Sequence, residues 1–356
     1  MNLYLIKCLN LSLIKKNGHL MKSKILFYLI FTLSINSVFA QKLVEDFVLS
    51  NPEQKVASKF SKITVIDSRI DTTNVGIIQK GAFNKKALLK PTESIKKQIE
   101  KVFDNLILDK TGNGELLLNI RDFKFAEVTE AFSETGYCYL RADLFSKKDS
   151  VYMKIDFIDK VFEVNAMDVT KKNIKNGSQK LIDFITSSLV SDVQGEYYSF
   201  DNILKISSLE KRKIPAYNTA NFENGVYMTF DNFKNQKPSI KDIKIIKNKK
   251  NQITKILWIR ANNSEFEINN NDLFALVDEG KVYVNNNDKF IPVEFKDDDF
   301  YFIGRAKVTA KTGTVVLASA FFGILGGLLA SDSSADFIMK IDHLNGAAIQ
   351  VKLIEK

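Results

Sequence analysis

The sequence predicts an α+β fold, in which an antiparallel sheet with two helices is followed by an all-β domain of barrel or sandwich type. Three observations lead to this prediction. Residues 55–193 show the element order β-α-β-β-β-α, residues 221–356 show short strands separated by polar turns, and an apolar, glycine-rich insertion occupies residues 314–330. Residues 194–220 have no clear periodicity and are interpreted as a linker.

Residues 1–40 have the pattern of a bacterial secretory signal peptide. Two lysines and an apolar run follow Met21, and a site of small residues ends at Ala40. We therefore expect translation to start at Met21 and cleavage to follow Ala40, so that the mature protein begins at Gln41 and faces the periplasm. An uncleaved anchor helix is the alternative, but the apolar run is shorter than the ~20 residues that span a bilayer.

The composition of the mature region argues against several classes of function. The first 40 residues hold five lysines and no acid, so their removal lowers the formal net charge from +9 to +4. This balance is not typical of a nucleic-acid binder, whose affinity depends on neutralising many phosphates. One cysteine and one histidine remain, Cys138 and His343. An internal disulfide and a zinc site with several histidines are therefore excluded, and no cofactor is expected.

Neither Cys138 nor His343 is expected to be catalytic. Cys138 shares one face of a predicted strand with Leu140 and Leu144, which indicates a buried, unreactive thiol. His343 lies between a predicted strand and an Asn-Gly turn, and is interpreted as a solvated turn residue. Hydrolysis by two carboxylates stays possible, because glycosidases need only a pair of acids. None of the 42 acidic residues can be singled out for that role.

The first domain begins with a β-branched strand and contains two amphipathic helices. The predicted elements are a strand at 63–66, a helix at 91–106, strands at 115–125, 137–145 and 151–158, and a helix at 178–190. Apolar residues recur at helical spacing in both helices and alternate in the strands. In the strand at 115–125 the alternation changes parity, which predicts a β-bulge near Asp122. Helices on one side of a largely antiparallel sheet satisfy this order.

The stretch Val-Ile-Asp-Ser-Arg at 65–69, with Gly76 downstream, resembles the Asp-x-Arg…Gly signature near the start of YajG-type envelope lipoproteins. The element order of residues 55–193 is also similar, although this chain lacks the lipidated cysteine of that family. The resemblance implies a periplasm-facing domain with no assigned role, and it supplies no catalytic residue. From their own chemistry, Asp67 and Arg69 share strand parity and are predicted to form a structural ion pair.

The second domain opens with the short pattern Gly-x-Tyr-x-x-Phe-x-x-Phe-x-x-x-x-Pro. Its positions are Gly225, Tyr227, Phe230, Phe233 and Pro238. The pattern resembles an uncharacterised module of secreted proteins from Gram-negative bacteria, and that resemblance implies no activity. Evenly spaced strands follow, separated by turns rich in Asn, Asp and Gly, which predicts an antiparallel barrel or sandwich. The Asn and Asp clusters are interpreted as turn residues and not as calcium ligands.

The insertion at 314–330 is the longest uncharged apolar segment of the mature chain. Its length is at the lower limit for a helix that spans a bilayer. A spanning helix would also place the flanking basic residues on the periplasmic side, against the positive-inside bias. We favour a segment that docks on a membrane surface or a partner; a helix buried within the protein and a true span are the alternatives. The residues expected to make the contact are Val315, Val316, Leu317, Phe321, Phe322, Ile324, Leu325, Leu328 and Leu329, with Gly323, Gly326 and Gly327 as close-packing glycines.

These observations favour a noncatalytic, exported cell-envelope protein that serves as a binding or structural component. Its expected partner is the outer-membrane surface or an envelope protein complex, contacted through residues 314–330. An exported hydrolase that cleaves envelope polymers through carboxylates is the main alternative. A third hypothesis is a small apolar ligand held inside the β domain.

Overall fold

The computed structural model describes residues 43–81, 84–129, 134–189, 195–305, 321–322, 325–326, 328 and 335–354. The described residues from Val44 onward belong to one compact unit. The predicted signal peptide lies outside the described residues. The division of the chain at residues 194–220 stays a prediction.

An eight-stranded sheet makes up the N-terminal half of the described fold. Its strands are β1 (Leu43–Phe47), β2 (Phe60–Asp67), β3 (Gly76–Lys80), β4 (Lys85–Pro91), β5 (Gly114–Thr129), β6 (Glu134–Lys148), β7 (Val151–Ala166) and β8 (Tyr197–Tyr198). The order is β1-β4-β3-β5-β6-β7-β8, and β2 also pairs with β5. Strands β5 to β8 are antiparallel, whereas β2 and β3 run parallel to β5. The sheet is therefore mixed, and β1 and the β3–β4 hairpin add to the predicted order.

Two long helices, α1 (Ile95–Leu106) and α2 (Val169–Leu189), cover one face of this sheet. Helix α1 ends where the apolar stripe predicts, and Ser94 caps its first turn by accepting a hydrogen bond from the backbone of Lys97. Helix α2 begins earlier than predicted. The sequence pattern did not reveal its first half, because the buried positions there include Asn173, Gly177 and Ser178 and form no apolar stripe. A Cβ at Gly177 would lie 2.5 Å from the Phe125 ring, so the small residue permits close packing on the sheet.

The bulge predicted near Asp122 is confirmed. The pairing of β5 with β6 shifts register between Ile120 and Asp122. The extra residue returns Phe123 and Phe125 to the core face shared by the residues before the bulge. We call the opposite side of β5, β6 and β7 the second face of the sheet.

The C-terminal half is rich in strands, as predicted, and contains three small antiparallel sheets among the described residues. Its strands are β9 (Gly225–Tyr227), β10 (Ile243–Lys247), β11 (Ile253–Ile259), β12 (Glu265–Glu267), β13 (Ala275–Asp278), β14 (Lys281–Asn286), β15 (Lys289–Pro292), β16 (Glu294–Lys296), β17 (Asp299–Arg305), β18 (Asp336–Ile341) and β19 (Ala348–Leu353). The sheet orders are β10-β11-β12, β15-β14-β13-β9 and β16-β17-β18-β19. The fold is thus of the α+β class.

The segment interpreted as a linker is folded onto the second face. It contains β8, helices α3 (Phe200–Leu204) and α4 (Ile206–Arg212), and a 3₁₀ turn at Pro215–Tyr217. Ile203 and Ile206 pack against Leu117 and Phe145 of the sheet. A further short helix, α5 (Phe230–Lys234), lies in the C-terminal half, and Phe230 and Phe233 are its buried residues. Within the described ranges, every helix is too short or too polar to cross a bilayer.

Candidate functional site

The second face carries a band of buried polar residues. One apolar cluster, with Leu117 and Phe145, lies on one side of the band, and another, with Tyr139, lies on the other. In the β5–β6 register, Asn119 lies opposite Asp143, and Asp122 lies opposite Arg141. The bulge residue, Arg121, reaches the same face, because its guanidinium lies 3.5 Å from the Asp143 carboxylate. All five residues are buried. Burial of charged groups is expensive unless each one has a partner of opposite charge, so the pairing around them decides whether the band is stable.

Arg141 is the centre of one part of this network. Its Nη1 and Nη2 donate to the two carboxylate oxygens of Asp342 at 2.6 and 2.9 Å. The same guanidinium contacts both oxygens of Asp159 at 3.2 and 3.1 Å. Burial alone would raise the pKa of Asp342, but the hydrogen bonds and charge of Arg141 outweigh it and hold that pKa at about 2. The side chain of Asp342 is therefore a carboxylate at neutral pH.

Glu210 of α4 is the centre of the other part. Arg121 donates to its two oxygens at 2.8 and 2.7 Å, and the Nε2 of His343 lies 2.8 Å from Oε2. Burial opposes ionisation of Glu210, but the hydrogen bonds with His343 and Arg121 prevail and lower its pKa to about 2. Glu210 thus ties helix α4 both to the sheet and to the turn that follows β18.

The prediction of a solvated turn histidine is wrong. His343 is only 6% exposed, and its ring contacts Tyr217 edge-on at 6.3 Å between centroids. Its partner Glu210 is 133 residues away in the sequence, so the local pattern around the Asn-Gly turn could not reveal the contact. A polar ring can be buried here because a carboxylate accepts its hydrogen bond.

Basic and acidic side chains are present in equal numbers around this band, which we call the charged layer. Its pairs are Arg121–Asp143, Arg121–Glu210, Arg141–Asp159, Arg141–Asp342, Lys154–Asp143, Lys124–Asp122, Lys211–Asp299 and Lys340–Asp299. Removal of Arg141 would leave its two acidic partners, Asp159 and Asp342, without a counter-charge. The charged layer therefore joins the sheet, helix α4 and the C-terminal strands.

A cavity of about 190 Å³ adjoins the charged layer. Residues of α3, α4, β5, β6 and the turn after β18 line it, with Asn119 and Ser68 on the sheet side. The Oδ1 atom of Asn119 accepts a hydrogen bond from the Ser68 hydroxyl at 2.7 Å. The Nδ2 atom of Asn119 has no hydrogen-bond partner among the described residues, although Asn119 is only 1% exposed. An unpartnered buried amide costs about 1–3 kcal/mol, which indicates that something else accepts its hydrogen bond.

Comparisons with known proteins do not assign a family. No family model matches the chain, and no curated protein matches it either. Among solved structures, the chain is similar to a Xanthomonas campestris protein of family DUF330, with 9% sequence identity and a TM-score of 0.27. The match covers 41% of this chain and 92% of that protein. A TM-score of this size decides neither fold nor function.

The predicted pair Asp67–Arg69 lies beside the cavity and not in its wall. Arg69 contacts both oxygens of Asp67 at 2.8 Å, and its Nη1 donates to the backbone carbonyl of Asn74 at 3.0 Å. Arg69 is buried, so the pair holds the loop after β2 in place. Ser68, between the two residues, is the one that lines the cavity.

The described residues of the apolar insertion are buried within the protein. The rings of Phe321 and Phe322 lie 5.5 and 5.2 Å from that of Tyr139, and Leu325 and Leu328 belong to the same cluster. This corrects the sequence prediction for these four side chains, because the chain's own sheet covers them and not a membrane or a partner. Gly326 is buried as well. Outside the described residues lie Val315, Val316, Leu317, Gly323, Ile324, Gly327 and Leu329.

Two further expectations concern reactive groups. Cys138 is fully buried in the core, as predicted, and burial raises the pKa of its thiol well above the ordinary value. Within the described part of the chain, no three or more His, Cys, Asp or Glu residues form a group that could hold a metal ion. The charged layer with its cavity is the candidate site because buried charges and an unpartnered amide meet there.

A buried carboxyl group with an unusual pKa lies elsewhere, at Glu127 of β5. Glu127 is 1% exposed and accepts hydrogen bonds from the backbone of Gln79 and the hydroxyl of Thr170, at 3.1 and 3.0 Å. Burial outweighs these hydrogen bonds, and together with the nearby charges of Glu134 and Asp168 it raises the pKa of Glu127 to about 7. Sequence periodicity gave no sign of this group.

The raised pKa of Glu127 predicts a loss of stability as pH rises. Between the ordinary pKa of 4.5 and the folded value of about 7, the folded state binds more protons than the unfolded state. The contribution of Glu127 to the free energy of unfolding should therefore fall by about 2 kcal/mol between pH 5 and pH 8. Urea unfolding of Glu127→Gln should lack this part of the pH dependence. Glu163→Gln, at an exposed position, is the control; equal pH profiles for both variants would contradict the prediction.

Proposed function

We propose that this chain is a noncatalytic, exported protein of the cell envelope that binds a small polar molecule in the cavity beside the charged layer. The observation that carries the proposal is the amide of Asn119, which is buried at the cavity and has no hydrogen-bond partner among the described residues. The paired charges around it form a wall that is ordered in advance, which lowers the cost of binding. The proposal that the protein is exported rests on the sequence pattern of residues 1–40.

The size of the cavity limits the kind of molecule it can hold. Its volume of about 190 Å³ is below the ~300–1,000 Å³ of pockets for drug-sized ligands. A polymer chain or a lipid would not fit inside it. The ligand is therefore a small molecule or ion.

The hydrolase alternative needs a carboxyl group that stays protonated beside an ionised one. Asp342 lines the cavity and Glu210 adjoins it, but ion pairing lowers the pKa of each to about 2. Both are therefore ionised at neutral pH and have no proton to donate to a leaving group. In this cavity the charge pattern supports binding over hydrolysis.

The proposal is tested on protein isolated from the envelope fraction of cells that produce it. Native mass spectrometry is expected to show a chain that begins at Gln41 and carries a noncovalently bound small molecule. Ser207 lines the cavity, so Ser207→Trp should fill the cavity and abolish the adduct.

Ser208→Trp changes the next, exposed residue of the same helix and serves as the matched control, because it should keep the adduct. Retention of the molecule by Ser207→Trp would refute binding in this cavity. Recovery of the chain only in the cytoplasmic fraction of the same cells, with residues 22–40 still attached, would refute export.

A further inference from the structure

The cavity wall presents more positive than negative charge. Four cationic side chains and two carboxylates line the cavity. The cations are Arg121, Arg141, Lys211 and Lys340, and the acids are Asp122 and Asp342. Each cation except Arg141 has its principal acidic partner outside the wall. The charged layer is balanced as a whole, but its positive side is the one that meets the cavity.

The acids outside the wall are positioned to hold the cations in place. Glu210 binds Arg121 in a two-point contact, and Asp299 lies 2.6 Å from the Nζ of Lys211 and 3.5 Å from that of Lys340. A lysine ammonium has three donors, so Lys340 retains hydrogen-bonding capacity beyond its contact with Asp299. The wall therefore still has donors for a further acceptor.

Asn119 adds a neutral donor to this cationic wall. Because the Ser68 hydroxyl donates to Oδ1, the amide is oriented with Nδ2 as its free group. A buried N–H without an acceptor favours a ligand that offers one. Oxygen acceptors with negative charge would satisfy Nδ2 and the cations together, and charge-assisted hydrogen bonds of this kind are stronger than neutral ones.

We infer that the ligand is a small oxyanion, a carboxylate or a phosphate, whose oxygens accept hydrogen bonds from Asn119 Nδ2 and the cationic wall. This inference rests on the proposed binding function. Asn119 is then a residue that determines specificity, since its buried N–H requires an acceptor in a fixed direction, which a mere counter-ion need not supply. The two carboxylates of the wall, Asp122 and Asp342, disfavour a larger or more highly charged anion.

The test uses the mature chain with inorganic phosphate and with acetate as separate probes, and chloride at matched ionic strength as the reference. Titration is followed by the side-chain amide resonance of Asn119 and by thermal unfolding. Phosphate or acetate should shift that resonance in a saturable manner and raise the unfolding temperature beyond the effect of chloride. The better of the two probes identifies the source of the oxyanion.

Asn119→Asp replaces the donor by a carboxylate of equal size, so we expect it to weaken oxyanion binding by at least about tenfold. Asn165→Asp makes the same change at an exposed position of β7 and should bind as the wild type does. If Asn119→Asp does not fold, Lys340→Gln is the variant that tests oxyanion binding. It removes only one cation of the wall, and Lys211 still pairs with Asp299. It should weaken binding severalfold.

Three outcomes would overturn the inference. The first is a response to phosphate and acetate no larger than that to chloride, and the second is equal binding by wild type and Asn119→Asp. The third is an uncharged molecule in the wild-type adduct seen by native mass spectrometry, which would leave the proposed binding function intact. Absence of both the adduct and any probe binding, with only water at Asn119, would remove the proposed function as well.

Discussion

Replacement of Arg141 by leucine is expected to lower the free energy of unfolding by about 3–5 kcal/mol. The side chain is buried and neutralises Asp342 and Asp159 at the same time. Leucine fills part of the space but leaves both carboxylates without a counter-charge on the second face. Urea unfolding at pH 7 measures the loss, and a smaller loss is expected at acidic pH, because burial raises the pKa of Asp342 once Arg141 no longer opposes it.

The control for Arg141→Leu is Lys62→Leu, which removes the cation from the exposed ion pair of Lys62 with Glu115. That pair should contribute no more than about 1 kcal/mol, because water screens it. The double variant Arg141→Leu/Asp342→Leu should be more stable than Arg141→Leu alone, since one of the unpaired acids is then absent. Equal losses for Arg141→Leu and Lys62→Leu would show that the charged layer does not hold the fold together.

Phe322→Ala is expected to lower the free energy of unfolding by a similar amount, about 3–5 kcal/mol. Phe322 is 1% exposed and packs edge-on against both Tyr139 and Phe321. Alanine would leave a cavity between the insertion and the sheet and would lose the aromatic contacts. Chemical denaturation followed by tyrosine fluorescence measures the change, because Tyr139 lies in the same cluster.

Phe266→Ala is the matched control for Phe322→Ala, since Phe266 on β12 is 43% exposed. This replacement should lower the free energy of unfolding by about 1 kcal/mol or less. The two variants also separate internal packing from membrane docking. Binding to vesicles of phosphatidylethanolamine and phosphatidylglycerol should be the same for Phe322→Ala and the wild type. A variant of unchanged stability that no longer binds such vesicles would instead restore the docking role first inferred for the insertion.

The arrangement of the second face suggests why charges are buried there. Apolar contacts alone would let helix α4 and the turn after β18 settle on the sheet in several ways. The bidentate pairs Arg121–Glu210 and Arg141–Asp342 fix both elements to one position, because their geometry allows little displacement. Such a wall would keep the cavity open in the shape that the proposed ligand needs.

The sequence by itself determined the elements whose pattern is local. Alternation along β5, β6 and β7 predicted those strands, and the change of parity predicted the bulge near Asp122, because side chains on a strand must point to opposite faces in turn. The stripe of α1 and the burial of Cys138 followed from the same kind of periodicity. Periodicity did not reveal the first half of α2, where small and polar residues pack on the sheet. It also did not reveal the folded segment at 195–220.

Only the tertiary structure decided which charges meet. Arg141 and Asp342 are 201 residues apart, and Arg121 and Glu210 are 89 residues apart, yet each pair shares two hydrogen bonds. Any of the many acids could have been the partner, because attraction between charges depends on distance in space and leaves no period in the sequence. For the same reason the sequence did not reveal the buried histidine, the unpartnered amide of Asn119 or the burial of Phe321, Phe322, Leu325 and Leu328.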